Sequence, residues 1–167
     1  MGRKSLDILE TAPVKVPRFS TGQVAKILDL PIWRLQKFLD SPRYDLSPSG
    51  QLGKGRGSRR TYSTEDVYRI GIAAFLIRDG FAPKFVGSVL QFIEDRDLID
   101  VDEDGIVSPI GIVFKRGKTR PKLGFFPSGK PPKMKVGGSA YYALDLGDVT
   151  HGIDRQIDTL IGKKRGR

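Results

Sequence analysis

The chain has 167 residues, a net charge of +10 at pH 7 and no cysteine. Without cysteine, disulfides, thiolate metal sites and cysteine nucleophiles are excluded. The sequence contains no apolar run long enough to span a membrane, and its first residues do not lead into the apolar segment of a signal peptide. We therefore expect a cytoplasmic protein, located at the nucleoid if it binds DNA, with no membrane partner.

The charge is distributed unevenly along the chain. Residues 1–64 carry 12 basic and 5 acidic side chains, residues 65–104 carry 4 and 10, and residues 105–167 carry 13 and 4. Because basic surfaces bind polyanions and release their counterions, the two basic ends favour nucleic acid as the partner. The alternative is that the charge only keeps the protein soluble. Charge alone does not distinguish these two explanations, so the sequence motifs are needed.

A first short helix is expected after a flexible basic arm at residues 1–18. Ser20 and Gln23 have the spacing of a capping box, and Phe19 and Val24 have the spacing of the hydrophobic staple that accompanies it. Both signals predict that a helix begins at this point of the chain.

A second short helix is predicted from Ile32 to about Asp40, directly after Pro31, since proline is tolerated at a first helical position. Its apolar side is expected to consist of Ile32, Leu35, Phe38 and Leu39. Two short helices joined by a tight connection favour a helix-turn-helix.

Residues 41–61 break the helical periodicity. They are rich in glycine and proline and contain one acid against five basic residues, which are Arg43, Lys54, Arg56, Arg59 and Arg60. Glycine lets a backbone approach closely and arginine reaches phosphate, so the segment is interpreted as a β wing that lies along a phosphate backbone. The alternative is a surface loop with solvated charges.

A third helix is predicted to begin at Ser63. Ser63 and Asp66 form a second capping box, and Tyr62 and Val67 form a second staple. Gly80 marks the end of this helix, because glycine is favoured just beyond a helix C-terminus.

Pro83 opens a fourth helix, whose inner face is expected to consist of Val86, Val89, Leu90 and Ile93. An acidic linker at residues 98–105 follows, and then strands are expected within 105–115, 123–126 and 140–146. Asp148 is predicted to cap a last helix, whose apolar stripe packs on the strands or on a partner chain. The fold class is therefore α+β, with a domain at 19–97 and a smaller β-rich and helical region with a basic tail at 98–167.

The stretch from residue 19 to residue 93 resembles the DNA-binding domain of the MerR family of bacterial transcriptional regulators. Four segments carry the resemblance in order, and they are Phe19–Ala25, Leu30–Leu39, Arg60–Val67 and Arg78–Phe81. They are similar to the family's capped opening helix, its turn and recognition helix, its Arg-x-Tyr before an acidic helix start, and its Leu-Gly-Phe helix break. Gln36-Lys37-Phe38 departs from the family's usual Arg-Tyr-Tyr or Arg-Phe-Tyr.

The resemblance implies a winged helix-turn-helix that binds double-stranded DNA as a homodimer and contacts RNA polymerase. Residues 94–105 are too acidic and too broken for the long dimerisation helix of classical members, so a dimer contact has to come from elsewhere, for example from the last helix. The candidate DNA-binding residues are Ser20, Thr21, Trp33, Arg34, Gln36, Lys37, Arg43, Lys54, Arg56, Arg59, Arg60 and Tyr62.

Four of these residues have structural alternatives. Ser20 and Thr21 lie at a helix start where backbone N–H groups bind phosphate, but helix capping alone also explains them. Trp33 either contacts DNA or covers the edge of the core. Tyr62 either donates to a phosphate or serves only in the staple.

Catalytic and metal motifs are not found in the sequence. It has one histidine, His151, and neither a nucleotide-binding loop nor a metalloprotease motif, so we expect no enzymatic activity and no cofactor. The aspartates between residues 95 and 104 offer oxygen ligands, but they lack the ligand order of a calcium-binding loop, which favours a solvated linker.

Two other functions remain alternatives to a transcriptional regulator. A phage or mobile-element excisionase, or another DNA-architectural factor, would share the same winged core. A basic module that binds RNA or an acidic protein would share the charge.

Overall fold

This computed structural model describes residues 17–52, 59–94, 98, 110–115, 124–127 and 141–165. They form a mixed α+β fold with more residues in helices than in strands. The helices are α1 (Thr21–Ile27), α2 (Ile32–Leu39), α3 (Thr64–Arg78), α4 (Pro83–Phe92) and α5 (Leu146–Arg165). The strands are β1 (Phe19–Ser20), β2 (Gly50–Leu52), β3 (Arg59–Tyr62), β4 (Ile110–Lys115), β5 (Gly124–Pro127) and β6 (Tyr141–Asp145).

The strands form two antiparallel sheets. In the first, β3 lies between β1 and β2, with Phe19 opposite Tyr62 and Gln51 opposite Arg60. In the second, β4 lies between β5 and β6, with Ile112 opposite both Phe125 and Leu144. The first sheet therefore places the start of α1 beside the β2–β3 hairpin.

Both predicted capping boxes are confirmed. The Ser20 hydroxyl accepts a hydrogen bond from the Gln23 backbone N–H at 3.4 Å, and the Gln23 side chain accepts from the Ser20 N–H at 2.9 Å. The Ser63 hydroxyl accepts from the Asp66 N–H at 3.2 Å, and the Asp66 carboxylate accepts from the Ser63 N–H at 2.8 Å. The first turns of α1 and α3 are therefore fixed by residues that are local in sequence.

Two helices end in the same way, with a left-handed residue just past the cap. Asp29 after α1 has φ +49° and Gly80 after α3 has φ +85°. The next N–H groups reach back into the last helical turn: Leu30 donates to the Ala25 carbonyl at 2.9 Å, and Phe81 donates to the Leu76 carbonyl at 3.0 Å. This is the Schellman arrangement, and after α1 it turns the chain sharply into α2.

The core is built around α3, which contacts α4, α5 and β3. A Cβ at Gly71 would come within 2.5 Å of Ile153 Cδ1 and 3.2 Å of Leu28 Cδ2, so this glycine lets α5 and the end of α1 pack closely on α3. The Tyr68 hydroxyl also donates to Asp154 Oδ1 at 2.5 Å. The apolar stripe of α5 thus packs on α3 and α1, as well as near β4.

Two predicted details differ in the structure. Ile32 is 52% exposed, because it stands at the first helical position of α2, beyond the edge of the core. The last helix begins at Leu146, and Asp145 rather than Asp148 caps it, since the Asp145 carboxylate accepts from the Gly147 N–H at 2.9 Å. Strand β4 lies inside the segment where a strand was expected, and the predicted linker at residues 98–105 lies outside the described residues apart from the buried Leu98.

The last helix shares its buried core with the first four helices. The cluster of buried apolar side chains contains Val67 and Ile72 of α3 together with Ile153 and Ile157 of α5. The domain boundary drawn at residue 98 stays a prediction, but the described residues on its two sides pack together. None of the described helices is long and apolar enough to cross a membrane.

Candidate nucleic-acid interface

The outer face of α2 is polar and solvent-exposed. Leu35 and Phe38 are buried and fix the helix to the core, whereas Gln36 and Lys37 are exposed. Trp33 is 67% exposed, so it does not cover the edge of the core. Residues three, four and seven positions apart share a helix face, so a single surface presents Trp33, Gln36, Lys37 and Asp40, the C-cap residue.

A cleft of about 460 Å³ lies between α2 and the hairpin. Its lining comes from β1, from the start of α1, from α2 and from β3, and consists of Ser20, Thr21, Gly22, Gln36, Leu39, Asp40, Arg59 and Arg60. We call it the α2–β3 cleft. It brings together five of the predicted DNA-binding residues from four elements of the chain, which are β1, α1, α2 and β3.

One ion pair crosses the α2–β3 cleft. Arg60 Nη1 lies 3.0 Å from Asp40 Oδ1, and the two side chains are 46% and 61% exposed. The hydrogen bond to Asp40 raises the pKa of Arg60 above its ordinary value, so Arg60 is charged at every relevant pH. Arg59, its neighbour on β3, is also exposed, and the described part of the chain offers it no ion-pair partner.

Ser20 and Thr21 line the same cleft, but Ser20 already has a structural task. Its hydroxyl accepts from the Gln23 N–H as the cap of α1. Helix capping therefore accounts for Ser20 without any ligand, as one of the two sequence interpretations held.

The expectation that Tyr62 donates to a phosphate is wrong in this structure. Its side chain is 0% exposed. Its hydroxyl has no hydrogen-bond partner of acceptable geometry among the described residues, although its proximity contributes to the raised pKa of Arg60. A phosphate outside the protein cannot reach a hydroxyl that is covered on all sides. The burial agrees with the other interpretation, in which Tyr62 packs as part of the staple before α3.

Several predicted residues lie away from the α2–β3 cleft. Arg34 is exposed but lies on the opposite flank of α2 from Gln36, in a second cleft of about 740 Å³ between α2, α3 and α5. Arg43 is exposed in the loop after α2, and its carbonyl packs against Gly87 of α4. Lys54 and Arg56 fall outside the described residues.

A hydrogen-bond network holds the base of the hairpin. Arg18 Nη1 donates to the Ser49 hydroxyl at 2.8 Å, and this hydroxyl accepts from the Ser63 N–H at 3.1 Å. The Ser49 N–H donates to the Asp66 carboxylate at 3.0 Å. The network ties the chain before β2 to the start of α3, so the position of β3 beside α2 is fixed at one end.

Sequence reasoning missed Asp40 and Arg18. Asp40 was used only to mark the end of α2, although its spacing from Gln36 already placed a carboxylate on the polar face. Arg18 was assigned to the flexible arm. No local pattern indicates that it reaches Ser49, because their contact depends on the tertiary fold.

The described residues contain no group of three or more side chains of the kinds that could hold a metal ion. The aspartates at 95, 97, 100, 102 and 104 lie outside the described residues. Comparison of the chain with models of known protein families and with curated protein sequences finds no match.

Proposed function

We propose that this chain is a DNA-binding transcriptional regulator whose α1, α2 and β2–β3 hairpin act as a winged helix-turn-helix, as the resemblance to the MerR family implies. One observation carries the proposal: the exposed polar face of α2 and the two arginines of β3 border the same cleft. A helix for a DNA groove and cations for the adjacent backbone are both needed, and here they are neighbours.

In this proposal α2 lies in the major groove. Gln36 and Arg34 are suited to paired hydrogen bonds with adenine and guanine, and they stand on the two flanks of the helix. Trp33 offers an exposed apolar surface to thymine methyl groups, and Lys37 offers a cation to phosphate. The helix is anchored by Leu35 and Phe38, which are buried and face the other way.

The hairpin supplies contacts that do not depend on sequence. Arg59 and Arg60 are adjacent on β3, and both line the α2–β3 cleft. A protein that neutralises a phosphate releases a condensed counterion, so each arginine contact adds to the salt dependence of binding. Arg59 is the better donor of the two in the free protein, because it is not paired with an acid in the described part of the chain.

The first test is the salt dependence of DNA binding by Arg59→Ala. We expect weaker binding to every duplex and a slope of log K against log salt that is smaller in magnitude by about one. Arg155→Ala is the matched control, since Arg155 is exposed on α5 and lines none of the clefts described above. Titration of fluorescent duplexes at several salt concentrations measures both effects, and equal slopes for the two variants would contradict the wing assignment.

The second test is sequence preference. Selection from a random duplex pool should give a defined site for the wild type, and Gln36→Ala or Arg34→Ala should change that site more than it changes the total affinity. A selected site with twofold symmetry would agree with the homodimer that the resemblance implies. If both variants keep the wild-type preference, α2 is not the recognition helix.

The same measurements separate the alternatives. Strong bending of any duplex without a preferred site would favour the architectural or excisionase-like function. Preference for RNA, or loss of duplex binding at moderate salt, would favour the basic interaction module.

A further inference from the structure

We propose that Asp40 is a selectivity residue of the DNA-binding surface, which pairs with Arg60 in the free protein and thereby weakens binding to duplexes that do not match the preferred site. The inference rests on the proposed function, because it concerns the same surface. Asp40 is exposed, and it stands at the C-terminal end of α2, where it does not cap the start of a helix. Its carboxylate is therefore not explained by packing or by N-capping.

Asp40 is placed where its negative charge would act on DNA bound to the α2–β3 cleft. It lies at the C-cap of α2, four residues after Gln36 and on the same face. It also lines the α2–β3 cleft together with Arg59. A carboxylate on a surface that faces DNA repels the phosphates, and in the major groove it can accept hydrogen bonds only from base amino groups, such as that of cytosine.

The ion pair makes Arg60 a conditional phosphate contact. Its Nη1 is 3.0 Å from Asp40 Oδ1, a distance at which Arg60 already donates to an anion. To contact a phosphate, Arg60 has to leave Asp40 or share its donors. Because both side chains are largely exposed, the pair adds little to stability, and exchanging partners is accessible.

Moving Arg60 from Asp40 to a phosphate has different consequences on matched and unmatched DNA sites. On a matched site, Asp40 finds a base amino group while Arg60 moves to the backbone, so both charges keep a partner. On an unmatched site, Arg60 gains a phosphate only by leaving Asp40 unpaired next to DNA. Asp40 therefore opposes non-specific binding more than specific binding, which is how a repulsive element produces selectivity.

The test compares Asp40→Asn with the wild type on two duplexes, the best duplex from random selection and a scrambled duplex of the same length. We expect Asp40→Asn to bind the scrambled duplex about twofold to fivefold more tightly and the selected duplex with a smaller gain, so selectivity falls. Asp158→Asn is the matched control for net charge, because Asp158 is exposed on α5. Asp158→Asn should increase the affinity for both duplexes equally, and by less than Asp40→Asn increases the affinity for the scrambled duplex.

A double-mutant cycle tests whether the effect acts through Arg60. Arg60→Ala should weaken binding more in the Asp40→Asn background than in the wild type, because the arginine is then free for phosphate. Arg59→Ala should cost the same in both backgrounds. Additive effects of Asp40→Asn and Arg60→Ala would overturn the exchange.

The outcomes also separate this inference from the proposed function. If the wild type binds duplex DNA and Asp40→Asn behaves like Asp158→Asn, the role of Asp40 is refuted and the proposed function stands. If neither the wild type nor Asp40→Asn binds duplex DNA at low salt, both are refuted. Thermal melts of all variants confirm that each one is folded.

Discussion

Helices α2 and α3 use their surfaces in opposite ways. Of the fifteen residues of α3, seven are buried, and they are spread over almost the whole circumference of the helix. Of the eight residues of α2, only Leu35 and Phe38 are buried, and they lie on one side. A helix that is apolar nearly all round belongs to the interior, whereas a one-sided helix leaves its other face to solvent or to a ligand.

Although its outer face is exposed, α2 is held in place by contacts with the rest of the fold. α3 provides the scaffold on which α4, α5 and β3 pack. α2 is held through its two buried side chains and through the Schellman turn that joins it to α1. The face of α2 that is proposed to contact DNA can therefore vary in sequence without changing the core.

The largest expected effect is the difference in the free energy of unfolding between two isoleucine truncations, one in each helix. Ile72 of α3 is 0% exposed and Ile32 of α2 is 52% exposed. Ile72→Ala should lower the free energy of unfolding by about 2–5 kcal/mol, because it leaves a cavity in the core. Ile32→Ala should change it by about 0.5 kcal/mol or less. Urea denaturation with both midpoint and slope measures the difference, and similar losses would show that the face of α2 is not solvent-exposed.

The next effect concerns the close approach of α3 and α5. Gly71→Ala should lower the free energy of unfolding by about 0.5–2 kcal/mol. The new Cβ meets Ile153 Cδ1 and Leu28 Cδ2, and this clash outweighs the stabilisation of about 0.5–1 kcal/mol that alanine gives over glycine inside a helix. Gly152→Ala in α5 is the control, since nothing lies within 4 Å of a Cβ there, and it should stabilise the helix by about 0.5–1 kcal/mol. A Gly71→Ala protein as stable as Gly152→Ala would mean that α5 does not pack against this part of α3.

Several features of the fold that are local in sequence could be predicted, although the cap of α5 at Asp145 was not among them. The capping boxes at Ser20 and Ser63 and the helix end at Gly80 involve residues within a few positions of one another. Pro83 likewise starts α4 as expected. These features depend on short-range hydrogen bonds and backbone geometry, which a sequence shows directly.

The features that depend on tertiary contacts could not be predicted. The Asp40–Arg60 pair joins residues twenty positions apart, and nothing local selects Asp40 among the acids of the chain. The exposure of Ile32 and the burial of the Tyr62 hydroxyl follow from where the core ends. The candidate site was therefore recognisable as a set of cations and polar side chains, while its internal pairing was not.

The smallest effect tests the polar contact between α3 and α5. Burial and the hydrogen bond to Asp154 raise the pKa of Tyr68 above its ordinary value of 10.0. Because the native state holds the phenol proton more tightly than the unfolded state, this contribution to stability is complete below about pH 10 and is lost as the pH rises further. Tyr68→Phe should lower the free energy of unfolding by about 0.5–1.5 kcal/mol at pH 7 and remove this part of the alkaline loss.

Tyr62→Phe is the matched control for that measurement at pH 7. The Tyr62 hydroxyl is buried without a hydrogen-bond partner among the described residues, so removing it should leave stability unchanged or increase it slightly. The two variants delete the same atom from two buried tyrosines, and they differ in whether that atom donates to a carboxylate. If Tyr68→Phe is as stable as Tyr62→Phe at pH 7, the Tyr68–Asp154 hydrogen bond does not hold α5 to α3.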